Sequence, residues 1–201
     1  MINNSITQCE NNSLEFCKFN STFNELNLCN INKYFDEENN FIRNILKKTN
    51  YKYVVEYGNK NTEIKNLVEN LGLQYLIDNE KSNIDTLTII PINTIGNMSC
   101  PSKFLNEYFK DKTDLIITGF NCTENADSIR SAFYQNNLAS EIKRCHLSEG
   151  ILFTDFKEFY SIAYYENTLK NLLQKSDYSV VEIQETNIGL YFYCKLNGLT
   201  E

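Results

Sequence analysis

The period of the apolar positions changes several times along the chain, and each change marks an expected element. Tyr53, Val54 and Val55 are adjacent and aromatic or β-branched, which predicts a strand; Glu56-Tyr57-Gly58-Asn59-Lys60-Asn61 then reads as a turn with one glycine. From Thr62 to Leu71 the period is helical. Ile64, Leu67, Val68 and Leu71 share a face, and Gly72 sits where a left-handed C-cap belongs. A strand ending in an acid follows, Tyr75-Leu76-Ile77-Asp78, and then an apolar strand from Leu87 to Ile92 that closes on Thr94-Ile95-Gly96-Asn97. So short an unbroken apolar run predicts burial on both faces, with Pro91 withholding a ladder donor near its end.

Ahead of this stretch, residues 1–35 are polar and Asn-rich and read as an N-terminal cap or arm. Asp36 offers an N-cap, Glu37 and Glu38 suit a first turn, Phe41, Ile42, Ile45 and Leu46 form a stripe, and Lys47 and Lys48 close a helix. Behind it, Phe104, Leu105, Tyr108 and Phe109 share a helix face, Leu115 to Thr118 reads as a strand, and Asn125 to Arg144 has helical spacing through Ile129, Ala132, Phe133 and Leu138. Gly150 to Phe153 predicts a strand and Ala163 to Lys175 a helix, with Leu169, Leu172 and Leu173 inward. Two last strands, Tyr178 to Gln184 and Leu190 to Leu196, are joined by a link too short for a parallel crossover, so they pair antiparallel. The expected fold is a single α/β domain over residues 1–201, with a Rossmann-like, mostly parallel sheet ending in an antiparallel hairpin. That is the layout of class I S-adenosylmethionine-dependent methyltransferases.

In open sheets of this kind ligands gather beyond the carboxyl ends of the strands, where helix N-termini also point their amide donors. Glu56, Gly58, Asp78 and Asn97 all fall at such ends and should share one rim. The run Pro91-Ile92-Asn93-Thr94-Ile95-Gly96-Asn97-Met98, then Phe104-Leu105, then Asp114 to Phe120, then Ala132-Phe133-Tyr134-Gln135-Asn136, resembles the histidine-specific N-methyltransferases of ergothioneine biosynthesis. Tyr53 to Gly58 and Tyr75 to Asp78 look like that family's donor-binding turn and ribose-side strand, in the same order.

The resemblance implies S-adenosylmethionine as methyl donor, with Glu56, Gly58, Asp78 and Gly96 at the donor. It implies an amino acid or related small amine as acceptor, held at Asn97 and Tyr134. Methyl transfer to an unprotonated amine depends mainly on positioning and exclusion of water, so no catalytic base and no metal are expected. The chain also departs from the family pattern. Lys60 and Thr62 stand where donor turns usually carry further glycines, and the segment between Asp78 and Leu87 is short. Gly119-Phe120-Asn121 replaces a strand-end acid, and the family's second lobe is missing or reduced to part of Asn137 to Glu166. These departures motivate a second expectation, a catalytically inactive methyltransferase fold kept as a binding or regulatory protein.

Charge and cysteine usage narrow the partners. A net charge of −7, with arginine only at positions 43, 130 and 144, excludes a basic groove for nucleic acid or anionic membrane. Seven cysteines without CxxC or zinc-like spacing suggest reduced thiols in a cytoplasmic protein. No apolar run reaches the length of a membrane span. His146 beside Cys145 reads as a surface histidine, because neighbours in a strand point to opposite faces. The aromatic group Phe153, Phe156, Phe159, Tyr160, Tyr164 and Tyr165 reads as core packing.

Overall fold

A computed structural model of the chain describes residues 28–58, 61–76, 85–108, 113–138, 141–157 and 159–198. Helix α1 (Leu28–Lys48) begins two turns before the expected cap at Asp36. The reason lies in the stripe. Ile31 and Tyr34 extend the row of Glu38, Phe41, Ile42, Ile45 and Leu46, all buried, so the acids at 36–38 lie inside the helix and not at its start.

Strand β1 (Tyr53–Glu56) leads to α2 (Thr62–Asn70), where the Asn61 side chain caps the N-terminus by accepting from the Glu63 N–H at 2.9 Å. Gly72 has φ +75°, the left-handed end that the sequence predicts. Strand β2 (Gln74–Leu76) follows, and then β3 (Thr86–Ile90). The chain does not continue as a strand to Asn97. Pro91 ends the ladder, and Thr94–Asn97 is a single 3-10 turn.

Helix α3 (Pro101–Lys103) passes into a π-helical turn over Phe104–Tyr108, and β4 (Asp114–Phe120) returns to the sheet. Helix α4 (Glu124–Asn137) is shorter than the expected 125–144, because Lys143–His146 forms a strand, β5. Its buried face also differs from the expected one: Ala126, Ile129, Arg130 and Tyr134 point inward, whereas Ala132 is exposed. Strands β6 (Gly150–Thr154) and β7 (Tyr160–Tyr164) follow, so the helix expected from Ala163 starts later, as α5 (Glu166–Lys175). Strands β8 (Tyr178–Glu185) and β9 (Gly189–Leu196) close the chain.

The main sheet has the order β2-β1-β3-β4-β9-β8. The first four strands are parallel, and β9 pairs antiparallel with both β4 and β8, which gives the mixed α/β architecture with its final hairpin. Both faces are buried. Ile116, Tyr191 and Tyr193 pack with α1 and α2 on one side, and Leu115, Ile117, Leu190 and Phe192 pack with Phe104, Leu105, Leu169 and Leu173 on the other. Each such side chain contributes about 1.5–3 kcal/mol of burial. Edge strand β8 carries a bulge between Val180 and Glu182, and the extra residue, Val181, is exposed.

A second, antiparallel sheet, β5-β6-β7, packs on α4 through Tyr134, Ile151, Phe153 and Phe159. Core packing holds for Phe153, Phe159 and Tyr164, while Phe156 is 66% exposed and Tyr165 is also exposed. His146 is exposed on β5. Among the described residues no helix is long and apolar enough to cross a membrane, and no cluster of His, Cys, Asp or Glu could hold a metal ion.

Candidate functional site at the carboxyl ends of the parallel strands

Strand β1 ends on Glu56, which is buried with both carboxylate oxygens engaged. Oε1 accepts the Asn61 N–H at 2.9 Å, and Oε2 accepts the Tyr75 hydroxyl at 2.8 Å. The next residues leave the ladder with the Tyr57 N–H still bonded to the Ile89 carbonyl at 2.8 Å, so the turn starts flush with β3. Gly58 has φ +111°, a conformation that side-chain-bearing residues rarely adopt, and a Cβ there would lie 3.2 Å from Thr94 Oγ1. The glycine turn after β1 and the turn after β3 therefore touch.

The β3 turn is the most unusual backbone among the described residues. Ile92 (φ 52°) and Asn93 (φ 55°) are left-handed in succession, and left-handed geometry at a β-branched residue is a true outlier. Three elements hold this pair in place. The Ile92 N–H reaches Glu38 Oε1 of α1 at 2.8 Å and Thr118 Oγ1 of β4 at 2.9 Å. The Asn93 N–H bonds the Thr118 carbonyl at 3.0 Å, and its side-chain amide donates to Ser161 Oγ at 3.1 Å and the Ile162 carbonyl at 3.0 Å of β7.

Glu38 is fully buried at this junction. Its Oε1 also accepts from the Thr118 hydroxyl and from Tyr34 at 3.3 Å, while Oε2 has no partner. Burial pushes its carboxyl up to about 7; the bonds from Thr118, Ile92 and Tyr34 pull the other way, and Glu63 adds to the rise. Burial likewise holds the Tyr34 hydroxyl well above its ordinary range.

Of the residues singled out from sequence, Glu56, Gly58, Gly96 and Asn97 lie on these two adjoining turns; Asp78, like Lys60, lies outside the described residues. Asn97 Oδ1 is buried without a hydrogen-bond partner. At Gly96 a Cβ would overlap the Ile162 carbonyl oxygen, so packing of β7 alone requires glycine there. Tyr134 is buried with its hydroxyl 2.8 Å from Ser161 Oγ. The asparagine that shares Ser161 with it is Asn93 and not Asn97.

Arg130 secures this wall. Fully buried, it donates to the Ile151 carbonyl at 3.3 Å and the Ser161 carbonyl at 2.8 Å, with its guanidinium carbon 4.3 Å from the Phe153 ring centroid. Asp127 lies beside it at 3.9 Å and also pairs with Arg144.

No protein-family model matches the chain, and no curated protein matches it. Solved structures do. A SAM-dependent methyltransferase from Methanosarcina mazei is 13% identical, covering 74% of this chain and 93% of its own, with a TM-score of 0.40. A second S-adenosylmethionine-dependent methyltransferase, from Clostridium acetobutylicum, is 14% identical, with coverages of 84% and 99% and a TM-score of 0.40. The magnesium protoporphyrin IX methyltransferase of Synechocystis, with bound SAH, is 6% identical over 84% of each chain, also at 0.40. At this level of likeness they assign neither ligand nor substrate to the present chain.

Sequence reasoning missed Glu38, Asn93, Arg130 and Ser161. For Glu38 a signal existed: it lies four residues after Tyr34 and three before Phe41, on the apolar stripe itself. Arg130 likewise follows Ile129 on the buried face of α4. Asn93 and Ser161 carried none, because their roles depend on β7 folding over the end of β3.

Proposed function

We propose that the chain binds S-adenosylmethionine where the turns after β1 and β3 meet, and methylates the amine of an amino acid or related small molecule. The observation that carries this reading is Asn97 Oδ1. A buried acceptor with no donor costs about 1–3 kcal/mol, and it sits one turn on from the Thr94 that touches Gly58. A ligand N–H would satisfy it.

The described residues fit such a donor. Glu56 supplies a strand-end acid and Gly58 a turn backbone without a side chain; Gly96 at the donor and Asp78 at the ribose are proposed by their place in the sequence. When bound, S-adenosylmethionine would supply an electrophilic methyl group on a sulfonium. The chain's own contribution is to orient the acceptor nitrogen through Asn97 and to exclude water with the wall that Tyr134 and Ser161 build, effects that bring most of the rate in such transfers. The likeness to histidine-specific N-methyltransferases directs the acceptor toward an amino-acid amine.

A catalytically inactive binding or regulatory role is the second reading. It is favoured by Glu56, whose two oxygens already have protein donors in Asn61 and Tyr75. Thermal-shift and calorimetric titration with the donor and its demethylated product separates the readings, since a ligand at a hundred times its Kd adds about 2.7 kcal/mol. Binding with turnover of the donor in an amino-acid mixture supports the enzyme, and binding without turnover selects the second reading. No shift at millimolar donor overturns the first.

A further inference from the structure

We infer that Glu38 is a positioning residue for this site: from α1 its carboxyl locks the left-handed Ile92–Asn93 turn, and so sets where Thr94–Asn97 is presented at the rim. The inference deepens the proposed function and rests on its reading that Thr94–Asn97 meets the ligand.

The geometry is a convergence of two elements, α1 and β4, on one N–H. Ile92 would ordinarily avoid φ 52°, and it precedes a second left-handed residue, so the turn needs external restraint. Its N–H is shared by Glu38 Oε1 and Thr118 Oγ1, and Thr118 in turn donates to Glu38, while the single hydroxyl hydrogen of Tyr34 lies within reach of both oxygens. Beyond Asn93 the chain is pinned on the other side by Ser161 and Ile162. The turn is thus clamped between α1 and β7, and Glu38 is the α1 jaw. Tyr34 of α1, Glu63 of α2 and Tyr191 of β9 are the titratable groups acting on it or on its hydroxyl partner. No acid or base of β3 or β4 is needed. Burial favours the protonated carboxyl, so a neutral amide can take its place and offer the same acceptor oxygen.

Amide hydrogen exchange across residues 92–97, normalised to β9, tests the clamp in the full chain without any ligand. Glu38→Leu should speed exchange of 92–97 by about tenfold and weaken binding of the demethylated donor by a similar factor, as loss of one buried hydrogen-bond partner implies. Glu38→Gln should restore both to within about threefold of the parent. If Glu38→Leu fails to fold by circular dichroism, Thr118→Val removes the other acceptor of the Ile92 N–H and should give the same local change. Unchanged exchange of 92–97 in the folded variant, or no recovery in Glu38→Gln, overturns the role of Glu38. Failure of the parent to bind any donor overturns the proposed function instead, and leaves the exchange arm standing.

Discussion

Tyr75 gives its phenolic hydrogen to Glu56 Oε2 at 2.8 Å, joining edge strand β2 to the last residue of β1. With Asn61 on Oε1, the acid is held from both flanks by the protein itself. Tyr75→Phe removes this hydrogen bond at a cost of about 1 kcal/mol, roughly 2–4 °C in melting temperature for a chain of this size. Affinity for the demethylated donor should hold or rise. A large loss would mean that Tyr75 orders the acid for binding.

Stability should fall as the pH rises toward neutrality because of Glu38. Its folded pKa of about 7 lies above the ordinary 4.5, so the folded chain keeps a proton that the unfolded chain has released. The contribution is complete below about 4.5 and lost by about 7, on the order of 3 kcal/mol at most. Urea unfolding of the parent and Glu38→Gln at pH 5 and pH 8 isolates the term, because other groups cancel in the comparison. Equal differences at the two pH values would contradict the assignment.

Gly96→Ala puts a methyl group into the Ile162 carbonyl, where neither the 3-10 turn nor β7 can yield cheaply. A loss of about 1–3 kcal/mol is expected. Gly58→Ala meets only the Thr94 side chain, at 3.2 Å, but strains a φ of +111°. Urea midpoints measure both, and Gly58→Ala should weaken donor binding more than Gly96→Ala does.

Arg130→Met removes the cation that ties Ile151 and Ser161 to α4, while Asp127 keeps its pair with Arg144. Loss of these buried hydrogen bonds costs about 1–3 kcal/mol. Hydrogen exchange should rise first in β6 and β7, with β1 and β3 little changed.

Much of the main sheet was legible from period alone. Continuous apolar runs marked β3 and β4, and the short link at 185–189 forced β8 and β9 antiparallel, as observed. The failures share a cause. Local spacing could not tell that Lys143–His146 would pair with β6 or that Ala163 would stay in β7, since strand partners decide both. Thr94–Asn97 read as the close of a strand because it directly follows the apolar run, yet Pro91 and two left-handed residues had already turned the chain.

The rim itself was half legible. Glu56 and Gly58 follow from the end of β1, whereas Asn97 lies on a 3-10 turn beyond the end of β3 and local spacing puts Glu38 in a helix start. An acid among acids looks solvated until the helix is known to begin at Leu28, which turns position 38 inward.

The bulge on β8 has a consequence for how copies of this protein meet. An outermost strand is an open template for polymerisation, but at Val181 the run of amide and carbonyl groups is interrupted and twisted. A second molecule approaching that flank would find no continuous ladder to extend, so the break protects against ribbon-like self-association while leaving the buried side of the hairpin intact.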